Sequence, residues 1–155
     1  MADPVHFGCK LGTPDLLKPP AALLLNKLLG CGTHAPPRRV VTLDDILADP
    51  AADYPPALVA AGAAIEIAGR DGEREIAAQD YFKGYFETAL ERGDIITAVT
   101  LPPALANSGA SFVKFSRVEG DYATVSVAAM VAFEGEVCSQ AAISVGACGP
   151  VPTRV

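Results

Sequence analysis

The strongest constraint on the fold comes from two apolar runs in the last third of the printed sequence. Residues Thr124–Phe133 alternate, and Val137–Val145 follow after the short polar connection Glu134-Gly135-Glu136. A period of two places Val125, Val127, Ala129, Val131 and Phe133 on one face of a strand, with small residues and Met130 on the other. Because neither face is strongly polar, we expect two long antiparallel strands in a sheet covered on both sides.

Three shorter segments also predict strands. Ala64–Ile67 and Glu73–Ile76 alternate on either side of Arg70-Asp71-Gly72, which is typical of a β-hairpin. Ile65, Ile67 and Ile76 can then share one buried face. Ile95–Leu101 follows the predicted turn Glu91–Asp94 and ends at two prolines, which cannot continue a ladder of hydrogen bonds.

Helices are predicted to be few. The segment Ala78–Leu90 places four aromatic residues on one helical face, with Asp80 as its cap: Tyr81, Phe82, Tyr85 and Phe86. We expect them to form core. Short helical turns are expected at residues 21–29 and 42–47. The predicted fold class is therefore α+β, with antiparallel sheets and hairpins and few helices.

Composition excludes several classes of function. The formal net charge of -6 argues against a nucleic-acid surface. No apolar run is long enough to span a bilayer, and residues 1–30 lack the features of a signal peptide, so we expect a cytoplasmic protein. The four cysteines are widely spaced, without the pairs typical of zinc or iron–sulfur sites, and are interpreted as buried free thiols.

One turn carries an unusual set of side chains. Lys114 lies between Phe112 and Phe115, and Tyr122 follows a charged turn that contains Arg117, Glu119 and Asp121. A cation and an aromatic ring beside a tight turn can hold a flat, electron-rich ligand. The alternative is a hairpin whose turn is simply solvated, and residue types alone favour this interpretation without excluding the first.

The turn also carries a resemblance to a known family. The motif K-F-S-R-x-x-G-D-Y-A-x-V resembles the segment that opens the C-terminal domain of the FAD-binding (medium) subunits of molybdenum hydroxylases, the carbon monoxide dehydrogenase and xanthine dehydrogenase family. Three further blocks are similar in the same order: Ala48–Leu58, Phe82–Leu90 and Gly93–Pro102. The resemblance begins at Ala48, leaves residues 1–46 as an unmatched proline-rich segment, and implies a chain truncated at both ends.

The resemblance implies two partial domains. Residues 47–101 are expected to be the C-terminal part of a FAD-binding domain, and residues 102–155 the first part of a CO-dehydrogenase-flavoprotein-like C-terminal domain. Relatives continue with a helical segment after the matching Pro-Thr-Arg, so we expect an exposed apolar patch on one face of the last sheet.

The resemblance also implies a flavin site. It places Asp53, or alternatively Asp49, against the flavin nucleotide, and Ile96 at a backbone contact. Lys114 is implied to lie near the flavin and Tyr122 to pack on it or bond to it. The family's two glycine-rich loops, which hold the pyrophosphate, are absent from the first 46 residues, and Gly30-Cys31-Gly32-Thr33 is too short to replace them. We therefore expect weak FAD binding, or none.

The function implied is electron relay. In the family, such a subunit passes electrons through FAD from an iron–sulfur small subunit to an acceptor, next to a molybdopterin large subunit. No catalytic side chain and no metal site of its own are expected, and the isolated chain is predicted to be inactive. The alternative is a non-catalytic assembly or dimerisation module that no longer binds FAD.

Overall fold

Two four-stranded antiparallel sheets are joined by one central helix in the computed structural model, which describes residues 38–40, 49–118 and 121–155. The helices of this part of the chain are α1 (Tyr54–Ala61) and α2 (Ala78–Tyr81). Its strands are β1 (Arg38–Val40), β2 (Ala64–Gly69), β3 (Gly72–Ala77), β4 (Phe82–Gly84), β5 (Glu87–Thr88), β6 (Ile95–Leu101), β7 (Ser108–Phe115), β8 (Val125–Glu134), β9 (Val137–Gly146) and β10 (Thr153–Arg154). This arrangement confirms the predicted α+β class.

The first sheet has the strand order β1-β6-β2-β3. Its hairpin β2–β3 turns at Arg70-Asp71 and places Ile65 directly opposite Ile76, as the alternation predicts. Ile65 and Ile67 are fully buried, so the inner face of the sheet carries the larger core of the described chain. The predicted strand Ile95–Leu101 is β6, which pairs with β1 and β2.

Helix α1 is short and almost wholly buried. Prolines in its first turn suit a helix start, because the backbone N–H groups there have no partner within the helix. The helix ends at Gly62, which adopts the left-handed φ of 63° that glycine tolerates, and Ala63 N–H donates to the carbonyl of Leu58 at 3.0 Å. A buried helix without a polar face needs neighbours on more than one side.

The second sheet supplies the other neighbour of α1. Its order is β10-β9-β8-β7, and the predicted meander of two long strands is β8–β9. Phe112 and Ala128 face α1 and contact Ala57 and Ala60 in a smaller second core. Helix α1 therefore contributes Leu58, Val59 and Ala61 to the larger core, and Ala57 and Ala60 to the smaller one.

The predicted helix Ala78–Leu90 is wrong. The chain forms a single helical turn, α2, and then the tight two-stranded hairpin β4–β5. Tyr81 and Phe82 are core, as predicted, but Tyr85 and Phe86 form the exposed two-residue turn of the hairpin. The predicted cap is also wrong: Asp80 lies inside α2, whose N-cap residue is Ala77, and Phe82 leaves the helix in an extended conformation.

The predicted turn Glu91–Asp94 is present. The Asp94 N–H donates to the Glu91 carbonyl at 3.0 Å, and the Asp94 carboxylate accepts a hydrogen bond from Arg74 of β3. This ion pair lowers the pKa of Asp94 below its ordinary value and ties the turn to the hairpin β2–β3. The linker 102–107 then leads to the second sheet without regular structure.

The outer face of the second sheet is apolar and exposed, which confirms the expected apolar patch, whereas the expectation of a sheet covered on both sides is wrong for the described chain. Val113, Phe115 and Ile143 lie on this face and belong to the exposed large hydrophobic residues of the described chain. The interpretation of the cysteines as buried is wrong for Cys138 and Cys148, which are free and exposed. Cys9, Cys31 and the predicted helical turns at 21–29 and 42–47 lie outside the described residues.

Candidate functional site

Two of the predicted site residues form an ion pair. The ammonium Nζ of Lys114, on β7, donates to the carboxylate Oδ2 of Asp53 at 2.9 Å. The side chains are 24% and 17% exposed, so the pair lies partly sheltered between the first turn of α1 and the second sheet. Lys114 also donates to the Asp121 carbonyl at 3.1 Å, which attaches the β7–β8 loop to the pair.

Backbone hydrogen bonds hold the Asp53 segment in place. The carbonyl of Pro50 accepts from Ala147 N–H at 2.9 Å, and the carbonyl of Ala51 accepts from Ala123 N–H at 3.2 Å. The turn before α1 is therefore attached to two loops of the second sheet. Because Asp53 immediately precedes α1, these bonds fix its carboxylate beside Lys114.

The ion pair keeps unused hydrogen-bonding capacity. The other carboxylate oxygen, Asp53 Oδ1, is buried and has no hydrogen-bond partner. The ammonium of Lys114 has three N–H donors, of which Asp53 and Asp121 take two. The pair thus keeps one unused acceptor, on an oxygen closed to solvent in this structure, and one unused N–H donor, the two kinds of group that bond to a hydroxyl.

Tyr122 lies in the β7–β8 loop that Lys114 attaches to the ion pair. Its backbone N–H donates to the carboxylate Oδ1 of Asp121 at 2.9 Å, and its side chain is 63% exposed. The Asp121 carbonyl is the group that Lys114 contacts. The phenol ring is therefore open to solvent in the loop that borders the ion pair.

Asp49 has a local structural role. Its carboxylate Oδ1 accepts a hydrogen bond from Ala51 N–H at 2.9 Å and closes the turn that precedes Asp53. An aspartate that satisfies its own backbone two residues on is typical of such turns. Of the two candidates, Asp53 has a carboxylate oxygen without a hydrogen-bond partner, whereas the Oδ1 of Asp49 is already bonded within its own turn.

Ile96 lies in a different environment. Its side chain is buried in the larger core, in contact with the residues of the first sheet, while its neighbour Ile95 is exposed. The backbone contact that the resemblance implies for Ile96 stays a prediction. The structure does not bring its side chain to the Asp53–Lys114 pair.

Sequence reasoning missed Ser126. It lies directly opposite Lys114 in the β7–β8 register, is buried, and its hydroxyl has no hydrogen-bond partner. The signal was a hydroxyl at an inward-facing position of an otherwise apolar strand. No group of three or more potential metal ligands occurs in the described residues, and none of their helices is long and apolar enough to cross a bilayer.

Two family models match most of the chain. Residues 40–104 match the FAD binding domain in molybdopterin dehydrogenase, and residues 110–155 match the CO dehydrogenase flavoprotein C-terminal domain. The first match starts at residue 40, inside the segment 1–46 to which the motif resemblance did not extend. The gap between the two matches lies in and just after the linker 102–107.

Curated relatives support the same family. The medium chain of carbon monoxide dehydrogenase from Afipia carboxidovorans is 38% identical over 95 residues, covering 61% of this chain and 33% of that protein. The nicotine 6-hydroxylase medium subunit of Paenarthrobacter nicotinovorans is 32% identical over 152 residues, covering 94% of this chain and 53% of that protein. The chain thus spans between a third and about half of the length of these relatives.

A solved structure shares the fold. Reconstituted CO dehydrogenase from Oligotropha carboxidovorans superposes with a TM-score of 0.67 and 34% identity, covering 69% of this chain and 37% of that chain. The superposition, the two domain matches and the relatives agree, so the chain belongs to the family of FAD-binding medium subunits of the molybdenum hydroxylases.

Proposed function

We propose that this chain is the flavin-holding part of an electron-relay subunit of a molybdenum hydroxylase. When bound, FAD supplies the redox chemistry, taking electrons from a donor and giving them to an acceptor. The residues of the chain bind and orient this group. The observation that carries the proposal is the Asp53–Lys114 pair, with its buried free oxygen and its remaining N–H donor.

These residues fit part of the cofactor. Asp53 Oδ1 can accept a hydrogen bond from a sugar-alcohol hydroxyl of the flavin, which would remove the cost of a buried oxygen without a partner. Lys114 brings a positive charge that favours an electron-rich group beside it. The exposed ring of Tyr122 provides a surface against which a flat ring system can pack.

The partners follow from the same proposal. An iron–sulfur small subunit would deliver electrons, and a molybdopterin large subunit would carry out the substrate chemistry. Two of the relatives are named as a medium chain and a medium subunit, which is consistent with such complexes. Ile96 would contribute a backbone contact to the flavin, and Asp49 would keep the Asp53 turn in shape.

A flavin titration tests the proposal. Because the glycine-rich loops are absent from the printed sequence, riboflavin, which lacks phosphates, and FAD should bind with affinities within about threefold of each other. Asp53→Ala should weaken both by about tenfold or more, since a hydrogen bond to a charged group contributes about 1.5–3 kcal/mol. Equilibrium dialysis with detection of flavin absorbance measures all of these affinities.

Two variants make the titration specific. Asp71→Ala, in the exposed turn of the β2–β3 hairpin, is the matched control and should bind flavin like the unmodified chain. Asp53→Asn keeps an acceptor oxygen and should lose less affinity than Asp53→Ala. Equal flavin binding by the unmodified chain, Asp53→Ala and Lys114→Met, all with native circular dichroism, would refute the assignment of this site.

The second candidate function is a non-catalytic assembly module. The exposed apolar face of the second sheet favours it, because a contiguous apolar surface is typical of interaction sites. The titration separates the two candidates. An assembly module forms a complex with its partner subunits but binds neither riboflavin nor FAD.

A further inference from the structure

Helix α1 is shorter than the sheet face on which it packs. Its eight residues span about 12 Å, whereas a strand of ten residues such as β8 or β9 spans about 33 Å. The helix packs on the part of the inner face that contains Phe112 and Ala128. The inner face therefore continues past the end of the helix, toward the turn that joins β8 to β9.

A cavity of about 220 Å³ lies where the helix ends. The strand register places four of its lining residues together on the inner face of the sheet, since Met130 pairs with Ala142 and Ala132 pairs with Gln140. The end of α1 and the linker residues 102–105 complete the lining. The cavity thus lies at the boundary between the two family regions, a place where small-molecule sites are common.

The size and the lining of the cavity suit a small organic molecule. An apolar cavity of about 150 Å³ accommodates benzene, so this larger one has room for a single ring with one substituent. Most of the lining is apolar, with prolines and alanines on several sides. Met130 adds a flexible thioether, which packs favourably against an aromatic ring.

Arg154 gives the cavity its charge, because it is the one charged residue among the described residues of the lining. It lies on β10 directly opposite Ser144, whose side chain is buried on the inner face, so the side chain of Arg154 belongs to the same face. Its guanidinium has no ion-pair partner in the part of the chain that the structure describes. A planar guanidinium binds a carboxylate through two parallel hydrogen bonds.

We propose that this cavity binds a small aromatic monocarboxylate whose carboxylate pairs with Arg154. The carbonyl groups at the end of α1 disfavour an anion there, so the ring lies toward the linker and the carboxylate toward β10. Because the ligand contacts both family regions, its binding stabilises the folded chain. The cavity lies at the C-terminal end of α1, whereas Asp53 precedes the N-terminal end, so the inference does not depend on flavin binding.

Titration of the nitrogen-15-labelled chain with benzoate, followed by amide chemical shifts, tests both the ligand class and the location. Benzamide and benzylamine are the matched probes, because they keep the ring but carry no charge or a positive charge. Benzoate should bind about fivefold more tightly than benzamide, the gain expected from one ion pair open to solvent, and more tightly still than benzylamine. The shifted amides should include those of Leu105, Gln140 and Arg154.

Arg154→Met should remove the preference for the anion. Its affinity for benzoate should fall about fivefold, to that of benzamide, while its affinity for benzamide stays unchanged. Arg92→Met, an exposed arginine in the turn before β6, is the matched control and should bind benzoate like the unmodified chain. The affinity of Arg154→Met for riboflavin reports separately on the proposed function and should equal that of the unmodified chain.

A second pair of variants tests the location. Ala142→Leu places a larger side chain in the cavity and should abolish binding of benzoate and benzamide, whereas Ala141→Leu, on the other face of β9, should not. The proposal is overturned if benzoate shifts none of the lining amides, if the three probes bind equally, or if Arg154→Met binds benzoate as tightly as the unmodified chain. Arg154 is exposed, so this last comparison decides the matter even where Ala142→Leu does not fold.

Discussion

At the scale of single residues, two serine hydroxyls are notable because they lie inside the packing between α1 and the second sheet. Ser126 and Ser144 are buried on the inner face, and neither hydroxyl has a hydrogen-bond partner in the structure. A buried hydroxyl that gives up its bonds to water without replacement costs about 1–3 kcal/mol. Ser126 lies opposite Lys114, whereas Ser144 lies opposite Ala128, away from the candidate flavin site.

Ser144→Ala should therefore stabilise the chain. Removing a hydroxyl without a partner should raise the free energy of unfolding by about 1 kcal/mol. Ser139→Ala, on the same strand, is the comparison: its hydroxyl donates to the Ala132 carbonyl at 3.3 Å, so its removal should leave stability unchanged or slightly lower, not higher. Urea denaturation followed by circular dichroism measures both. A loss of about 1 kcal/mol in Ser144→Ala would instead mean that an ordered water bonds to the hydroxyl.

The candidate site was predictable only in part at this scale. Asp53 and Lys114 are 61 residues apart, and no local pattern joins them, because their contact depends on how α1 packs on the second sheet. Only the family resemblance predicted that both residues would lie near the same ligand. Ser126 escaped notice because a serine in an apolar strand gives no indication of what its hydroxyl meets.

At the scale of elements, helix α1 packs closely on β8 and β9 of the second sheet. A Cβ added at Gly146 would lie 2.7 Å from Pro56 Cγ and 2.7 Å from Ser126 Oγ. Such separations are well inside van der Waals contact, so the absence of a side chain on β9 permits the first turn of α1 to approach the sheet.

Gly146→Ala should destabilise the chain. The extra methyl group must push the helix away from the sheet, and overpacking of this kind costs about 1–3 kcal/mol. Gly149→Ala provides a matched control, because nothing lies within 4 Å of its added Cβ, and it should be neutral or slightly stabilising. Thermal unfolding of the two variants gives the comparison. Equal stability of Gly146→Ala and Gly149→Ala would contradict this account of the packing.

Element types were predictable where one signal dominated. In the hairpin β2–β3, the alternation of apolar residues and the turn sequence between them predict the same structure. The same holds for β8 and β9. The prediction for Ala78–Leu90 was wrong because the spacing of its aromatic residues is compatible with two structures. One is a single helical face, and the other is a buried pair followed by an exposed turn. Tyr81 and Phe82 are indeed core, but the chain leaves the helix at Phe82 and returns through an exposed turn, and only contacts with the rest of the fold decide between these outcomes.

At the scale of the whole molecule, the described chain has one covered and one exposed face on its second sheet. Val113 and Phe115 on β7 and Ile143 on β9 contribute large exposed side chains to the outer face. Directly paired residues on neighbouring strands share this face, which makes it contiguous rather than scattered. Contiguous apolar surface of this kind favours association in water.

Phe115→Ser should reduce that association. Burial of a phenylalanine side chain contributes about 1.5–3 kcal/mol, so its loss should raise the dissociation constant for self-association about tenfold or more. Val118→Ser, an exposed apolar residue in the loop after β7, is the control and should leave self-association unchanged. Sedimentation velocity over a range of concentrations measures the constant. Identical behaviour of Phe115→Ser and the unmodified chain would contradict a role of this face.

Helix α1 belongs by sequence to the first family region, yet Ala57 and Ala60 complete the core of the second. A recombination event that joined residues 110–155 to an unrelated partner would leave Phe112 and Ala128 facing water. The two regions are therefore expected to be inherited together, because eight residues of helix serve both interiors at once.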